Sequence, residues 1–298
     1  MSDLYSVTIS PTLAKDFSQD DMQLSLDDYS NLIEVIVGTG KEQVRVFRPA
    51  KILGLESKYF RDACFPIWPI EKYSKLKEIH LDQDITAFNI FLAWNTTRNI
   101  QMSKQIQRVD GNDSPDTKLE KYEILWDQLL ECHFLSEYLE APNFGNSIIN
   151  AMVKAQQDER AVREHIKDTS VVVDEDVENG SQRPIVEMHR ILGCRNYQIN
   201  RLYEKTKAPS LLRAMMVDKI LAWCRYCERH TKLDAILNEN LEAGETAVSF
   251  EFTKDLINEF ANGLIDYRRA VDTWFKADCE YHKHKNGESC GVDSDDSN

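Results

Sequence analysis

Positive charge is what this chain of 298 residues is short of: 36 Lys plus Arg stand against 50 Asp plus Glu, a formal net charge of −14. A surface poor in cations does not gather phosphates, which excludes nucleic acid as the primary partner. Glycine and proline are also scarce, at 11 and 8 residues, so collagen-like and low-complexity classes are excluded for the chain as a whole. No run approaches the ~18 consecutive apolar residues of a spanning helix. The opening Met1-Ser2-Asp3-Leu4 lacks the basic and apolar regions of a secretory signal. The expectation is therefore a cytoplasmic or nuclear protein with no membrane partner. Cysteine is present but unpatterned: seven residues, an odd number, at 64, 132, 194, 224, 227, 279 and 290. That scatter fits reduced thiols better than a disulfide framework. No internal repeat of the kind that builds solenoids is present.

The negative charge is concentrated in three stretches. Residues 1–28 carry −5, residues 168–182 (DTSVVVDEDVENGSQ) another −5, and the tail 286–298 the last −4. These read as a disordered acidic leader, an acidic linker and an acidic disordered tail over 278–298. What remains is neutral and falls into two blocks, about 29–167 and 183–277, in keeping with a usual domain size of ~100–200 residues.

In the first block, Leu32-Ile33-Glu34-Val35-Ile36-Val37 and Val44-Arg45-Val46-Phe47 flank Gly38-Thr39-Gly40-Lys41, a hairpin pattern. A Gly-Thr-Gly-Lys after a strand also suggests a phosphate loop, but that motif must open a helix and here it leads straight into a second strand. Pro49 suits the first turn of a helix. A second short helix follows at 58–65, then a strand at 77–81. Asp82 or Asp84 caps a helix carrying Ile85, Phe88, Phe91, Leu92 and Asn95, with Trp94 beside that stripe. After a polar loop, Tyr122, Leu125, Trp126, Leu129, His133 and Phe134 form one helical stripe, and Phe144, Ile148, Ile149, Met152 and Val153 the next. Strand, strand, helix, helix, strand, helix, loop, helix, helix is an α+β order: a small sheet with clustered helices.

These residues resemble a known family. Phe47, Ile52-Leu53, Ser57-Lys58-Tyr59-Phe60, Cys64-Phe65, Glu78-Ile79-His80-Leu81 and Ala87-Phe88-Asn89-Ile90-Phe91-Leu92-Ala93-Trp94, in that order, are similar to the BTB/POZ domain of fungal type. Leu129 to Leu139 is similar to the family's helix before its closing helical hairpin, and Arg201-Leu202-Tyr203 through Val217-Asp218 to a stretch often found downstream. Pro49 stands where many members have His, and Asn95-Thr96-Thr97-Arg98 replaces the usual Y-T-G. The resemblance implies a BTB/POZ-like domain followed by an all-helical C-terminal domain. It also implies a non-enzymatic module that binds other proteins and needs no cofactor. A homodimer, a cullin ubiquitin ligase scaffold for which the chain is a substrate adaptor, and a role in nuclear regulation are the partners and settings that follow.

The fingerprint residues Phe60, Phe65, Ile79, Leu81, Phe88 and Leu92 are expected in the core, so function falls to exposed features. Phe65-Pro66-Ile67-Trp68-Pro69-Ile70-Glu71 places aromatic and aliphatic side chains between two prolines. In BTB adaptors the equivalent loop holds a hydrophobic-x-Glu element that contacts the scaffold, to which Trp68, Ile70 and Glu71 loosely correspond. In the second block, Thr253 with Asp255 supplies a helix start before the run of Leu256, Ile257 and Phe260. Upstream of it, Cys224, Cys227 and His230 lie at steps of three on one helical pattern, and Cys279, His282, His284 and Cys290 could complete a metal set. The same positions continue an apolar stripe with Ile220 and Trp223, the reading that burial of cysteine favours. A metal- or thiol-dependent protein using Cys224, Cys227 and His230 is the alternative. No hydrolase elbow, zincin, dinucleotide or kinase motif is present.

Overall fold

The computed structural model describes residues 32–64, 78–170, 195–226 and 248–263. Strand β1 (Leu32–Val37) pairs antiparallel with β2 (Val44–Pro49), Leu32 opposite Pro49 and Val37 opposite Val44. The connection passes through Gly38 and Gly40, at φ of 94° and 61°, and a 3-10 turn over Gly40–Glu42. Glycine takes that left-handed backbone without steric cost. Lys41 therefore lies in a hairpin turn and opens no helix. Strand β3 (Glu78–Leu81) adds parallel to β1, giving the order β2-β1-β3. Parallel pairing requires a crossover; helices α1 (Ala50–Glu56) and α2 (Lys58–Cys64) lie within it.

Helix α3 (Ile85–Thr97) starts at Asp84, whose carboxylate accepts from the Ala87 N–H at 2.7 Å. It ends at Arg98 in the left-handed conformation (φ 58°) that usually falls to glycine. The guanidinium of Arg98 compensates, lying 5.1 Å from the Trp94 ring centre and 2.6 Å from Glu56. Helix α4 (Pro115–Tyr138) opens on Ser114 with proline in its first turn, and α5 (Pro142–Ser170) follows after a short turn. Rings carry the core from α2 to α5: Phe60–Phe88 at 6.4 Å, Phe88–Phe91 at 6.1 Å, Phe91–Phe144 at 5.3 Å and Phe144–Trp94 at 5.1 Å. Ile33, Val35 and Val37 of β1, with Ile79 and Leu81 of β3, belong to the same buried cluster. Of the six fingerprint residues expected in the core, five are buried there; Phe65 lies outside the described residues.

The turn from α4 to α5 is spliced to the start of α2. Ser57, fully buried, donates its hydroxyl to the Leu139 carbonyl at 2.7 Å and accepts from the Phe60 N–H at 3.2 Å. The N–H groups of Tyr59 and Lys58 reach the carbonyls of Leu139 and Glu140 at 3.2 and 3.3 Å. Orphan donors at one helix start thus meet orphan acceptors at another helix end, which satisfies both without water. Close by, a Cβ on Gly145 would stand 2.9 Å from the Ser136 hydroxyl, so glycine lets α4 and α5 approach there.

Helices α6 (Asn196–Lys205), α7 (Leu211–Tyr226) and α8 (Phe250–Gly263) form the C-terminal part. Ile199, Leu202, Leu212, Met215, Ile220, Phe252 and Leu256 are buried, and they join the cluster that contains the sheet and α3–α5. Arg213 stacks over Tyr203 at 4.2 Å and donates to the Tyr203 carbonyl at 2.7 Å, closing the end of α6. Among the described residues the architecture is thus mixed α+β, mostly helical, with one three-stranded sheet.

Two boundaries differ from those read in the sequence. Helix α5 continues to Ser170, so residues 168–170 of the charge-defined linker are helical. Helix α8 starts at Phe250 and not near Thr253, because the Ser249 hydroxyl accepts from the Phe252 N–H at 3.2 Å and caps it earlier. The acidic leader, residues 171–182 and the acidic tail lie outside the described residues. No helix among the described residues is long and apolar enough to cross a membrane.

Ser57→Ala takes the acceptor from the Phe60 N–H and leaves the Leu139 carbonyl with the Tyr59 N–H alone. A loss of ~1–2 kcal/mol of stability is expected, read as a lower urea midpoint at unchanged slope. An unchanged midpoint would show that the splice contributes nothing.

Candidate interaction surfaces

The residues singled out for scaffold binding, Trp68, Ile70 and Glu71, lie between α2 and β3, outside the described residues. Of the thiol and imidazole set, Cys224 falls in the last turns of α7, while Cys227, His230, Cys279, His282, His284 and Cys290 also lie outside. Among the described residues no group of three or more His, Cys, Asp or Glu side chains is placed to hold a metal ion. Cys132 is buried in α4, and burial pushes its thiol well above the usual range, which makes it a packing residue and a poor nucleophile.

What the structure brings together is a seam between α4 and α6. Glu123, Asp127 and Glu131 recur every four residues and so share one face of α4. Against them α6 sets Arg195 (2.6 Å to Glu123), Gln198 and Tyr197 (2.9 and 3.0 Å to Asp127), and Arg201 (2.6 Å to Glu131). Lys205 adds a longer contact to Glu131 at 3.4 Å and lies 5.0 Å from the Phe134 ring centre. Contacts advance in the same direction along both helices, so α4 and α6 run parallel. The rim pairs are partly solvated and worth ~0.2–1 kcal/mol each, whereas burying Ile199 and Leu202 contributes ~1.5–3 kcal/mol apiece. Apolar contact holds the seam; the charges set its register. The acidic period on α4 and the basic residues of α6 were both visible in the sequence, but they lie in different blocks and nothing local links them.

Burial and the Asp127 carboxylate push the Tyr197 hydroxyl above the ordinary tyrosine value, so it serves as a donor. Beneath the seam, Glu159 of α5 is 4% exposed and receives the Arg163 guanidinium from the next turn. Burial raises its carboxyl, and Glu123 adds to that, while Arg163 and Arg195 oppose.

Two of the clefts among the described residues lie near these helix ends. The larger, about 680 Å³, lies between the hairpin turn, the β3–α3 connection and the ends of α4 and α6; Glu42, Asp82, Asp84 and Glu137 stand around Ile85 and Tyr138. Asp84 is committed to capping α3. The smaller, about 390 Å³, lies between α2 and the α4–α5 turn, with Lys58, Arg61, Ser136 and Asn146 on its walls. Hydrogen bonds that it donates to Glu140 and then to Asp62 raise the Lys58 ammonium above its ordinary value and keep it charged. On the edge strand β2, Val44 and Phe47 are exposed, and so is Leu32 on β1. Set against family models, curated proteins and solved structures, the chain matches none of them.

Glu131→Ala removes the shared partner of Arg201 and Lys205. Amide exchange over 196–205 is expected to accelerate by a factor of ~2–5, in line with ~0.5–1 kcal/mol, while α1–α3 keep their protection. Uniform change in both regions would argue against a local seam.

Glu159 carries a pH dependence. A carboxyl with a higher pKa in the fold than in the unfolded chain stabilises fully below the unfolded value, and that contribution is lost as pH rises through the folded one. Glu159→Gln, which cannot ionise, should therefore raise the melting temperature at pH 8. Its advantage should shrink as pH is lowered toward the unfolded value of 4.5. Thermal unfolding followed by circular dichroism across that range checks the sign.

Proposed function

We propose that the chain is a protein-interaction module of the BTB/POZ type, self-associating, and a substrate adaptor for a cullin ubiquitin ligase or a nuclear regulator. One observation carries this reading. The hairpin, the helix pair α1–α2, β3 parallel to β1, α3, and the closing antiparallel pair α4–α5 follow the order that the ordered motifs call for. Support comes also from the burial of Phe60, Ile79, Leu81, Phe88 and Leu92, the family-like positions. Exposed apolar side chains at Leu32, Val44 and Phe47 offer the surface that such a module uses to hold a partner. In this reading Trp68, Ile70 and Glu71 contact the scaffold, and the C-terminal helices position a second protein.

Light scattering on the full chain is expected to give a dimer mass, and a pull-down with a cullin scaffold to retain it. Trp68→Ala, as an aromatic hot spot, should cost ~2 kcal/mol or more of that binding, roughly thirtyfold in affinity. A strict monomer with no cullin binding removes both the dimer and the adaptor claims. Elemental analysis of the same sample separates the thiol alternative: stoichiometric zinc, with helicity lost on chelation, would replace this reading by a metal centre built on Cys224, Cys227 and His230.

A further inference from the structure

Buried polar groups in a folded protein are almost always paired, and those that are not call for an explanation, a bound water or ion among them. Three side chains around one end of the α4–α6 seam are almost fully buried and only partly paired: Trp126 is 1% exposed, Asn196 2% and Glu159 4%. Among the described residues, Trp126 Nε1, Glu159 Oε2 and both polar atoms of Asn196 have no hydrogen-bond partner. Helix register and charge draw their three residues toward one junction of helices. Helices α4 and α5 run antiparallel from their shared turn, with Ser136 against Gly145; continuing that register sets Tyr122 and Trp126 opposite the turn of α5 that ends at Glu159. The Glu159 carboxylate acts electrostatically on Tyr122, and Glu123 and Arg195 act on Glu159. Asn196 follows Arg195 at the start of α6 and is buried beneath it.

We propose that this junction of α4, α5 and α6 is a binding site for buried water, bridging Trp126, Glu159 and Asn196. The chemistry matches: an indole N–H and an amide NH2 donate, a carboxylate oxygen and an amide oxygen accept, and a water molecule accepts two hydrogen bonds and donates two. Leaving all four atoms dry would carry the desolvation penalty of each, which a bridging water removes. The water joins the C-terminal helices to α4 and α5 at the depth where the rim ion pairs do not reach. Arg163 already occupies the other Glu159 oxygen, which leaves Oε2 as the acceptor facing the site.

The test uses the full chain labelled with 15N-tryptophan, which gives five indole signals. The Trp126 signal is assigned by its loss in Trp126→Phe or, should that variant not fold, by through-bond assignment of the unmodified chain. The expected result is a cross-peak between the Trp126 indole proton and a long-lived water, together with a shift of that indole signal in both Glu159→Gln and Asn196→Leu. Absence of the water cross-peak overturns the proposal. So does a shift in Glu159→Gln alone, which would mean that the indole donates directly to the carboxylate.

Discussion

Helix α4 has to satisfy three neighbours at once, and the rest of the chain is arranged around that demand. One face, through Tyr122, Trp126, Leu129 and Ser136, packs on α5; another, through Glu123, Asp127 and Glu131, meets α6. Its C-terminal carbonyls are taken up by the start of α2. A 24-residue helix with this much of its circumference covered has no simple amphipathic stripe. Its apolar residues therefore spread over more than one face, which is what a central helix requires. Helix α5, the start of α2 and helix α6 each attach to it by a different kind of contact.

Those contacts divide the work unequally. The interlocked rings from Phe60 through Phe88 and Phe91 to Phe144 and Trp94 bury large apolar area in fixed relative orientation, and they account for most of the cohesion of the N-terminal part. Polar groups contribute selectively. Ser57 and Asp84 satisfy helix ends that would otherwise be costly to bury, and Arg98 makes an unfavourable backbone conformation tolerable. The α4–α6 charges decide alignment more than strength, as expected for pairs that keep part of their hydration.

Local pattern made much of this legible in advance. Alternation at Val44, Arg45 and Val46 marked the hairpin, and Asp84 ahead of an apolar stripe marked the start of α3. Composition alone ended α5 too early: acids at 168 and beyond read as linker, yet a helix tolerates them in its last turn. The start of α8 was displaced because Thr253 and Asp255 imitate a cap that Ser249 actually provides. Least legible was the seam. Glu131 and Arg201 are separated by 70 residues, and nothing in either helix alone shows that they meet. The Ser57–Leu139 splice was hidden for the same reason.

Helix α5 returns antiparallel along α4, and α6 begins beside Glu123, at the end of α4 toward which α5 travels. From Glu159 the remaining turns of α5 carry the chain only about 16 Å further at 1.5 Å per residue. The 24 residues between Ser170 and Arg195 are more than reach alone demands. Chain connection therefore does not dictate where α6 lands; its position and register follow from the contacts it makes along α4, from Glu123 through Asp127 to Glu131.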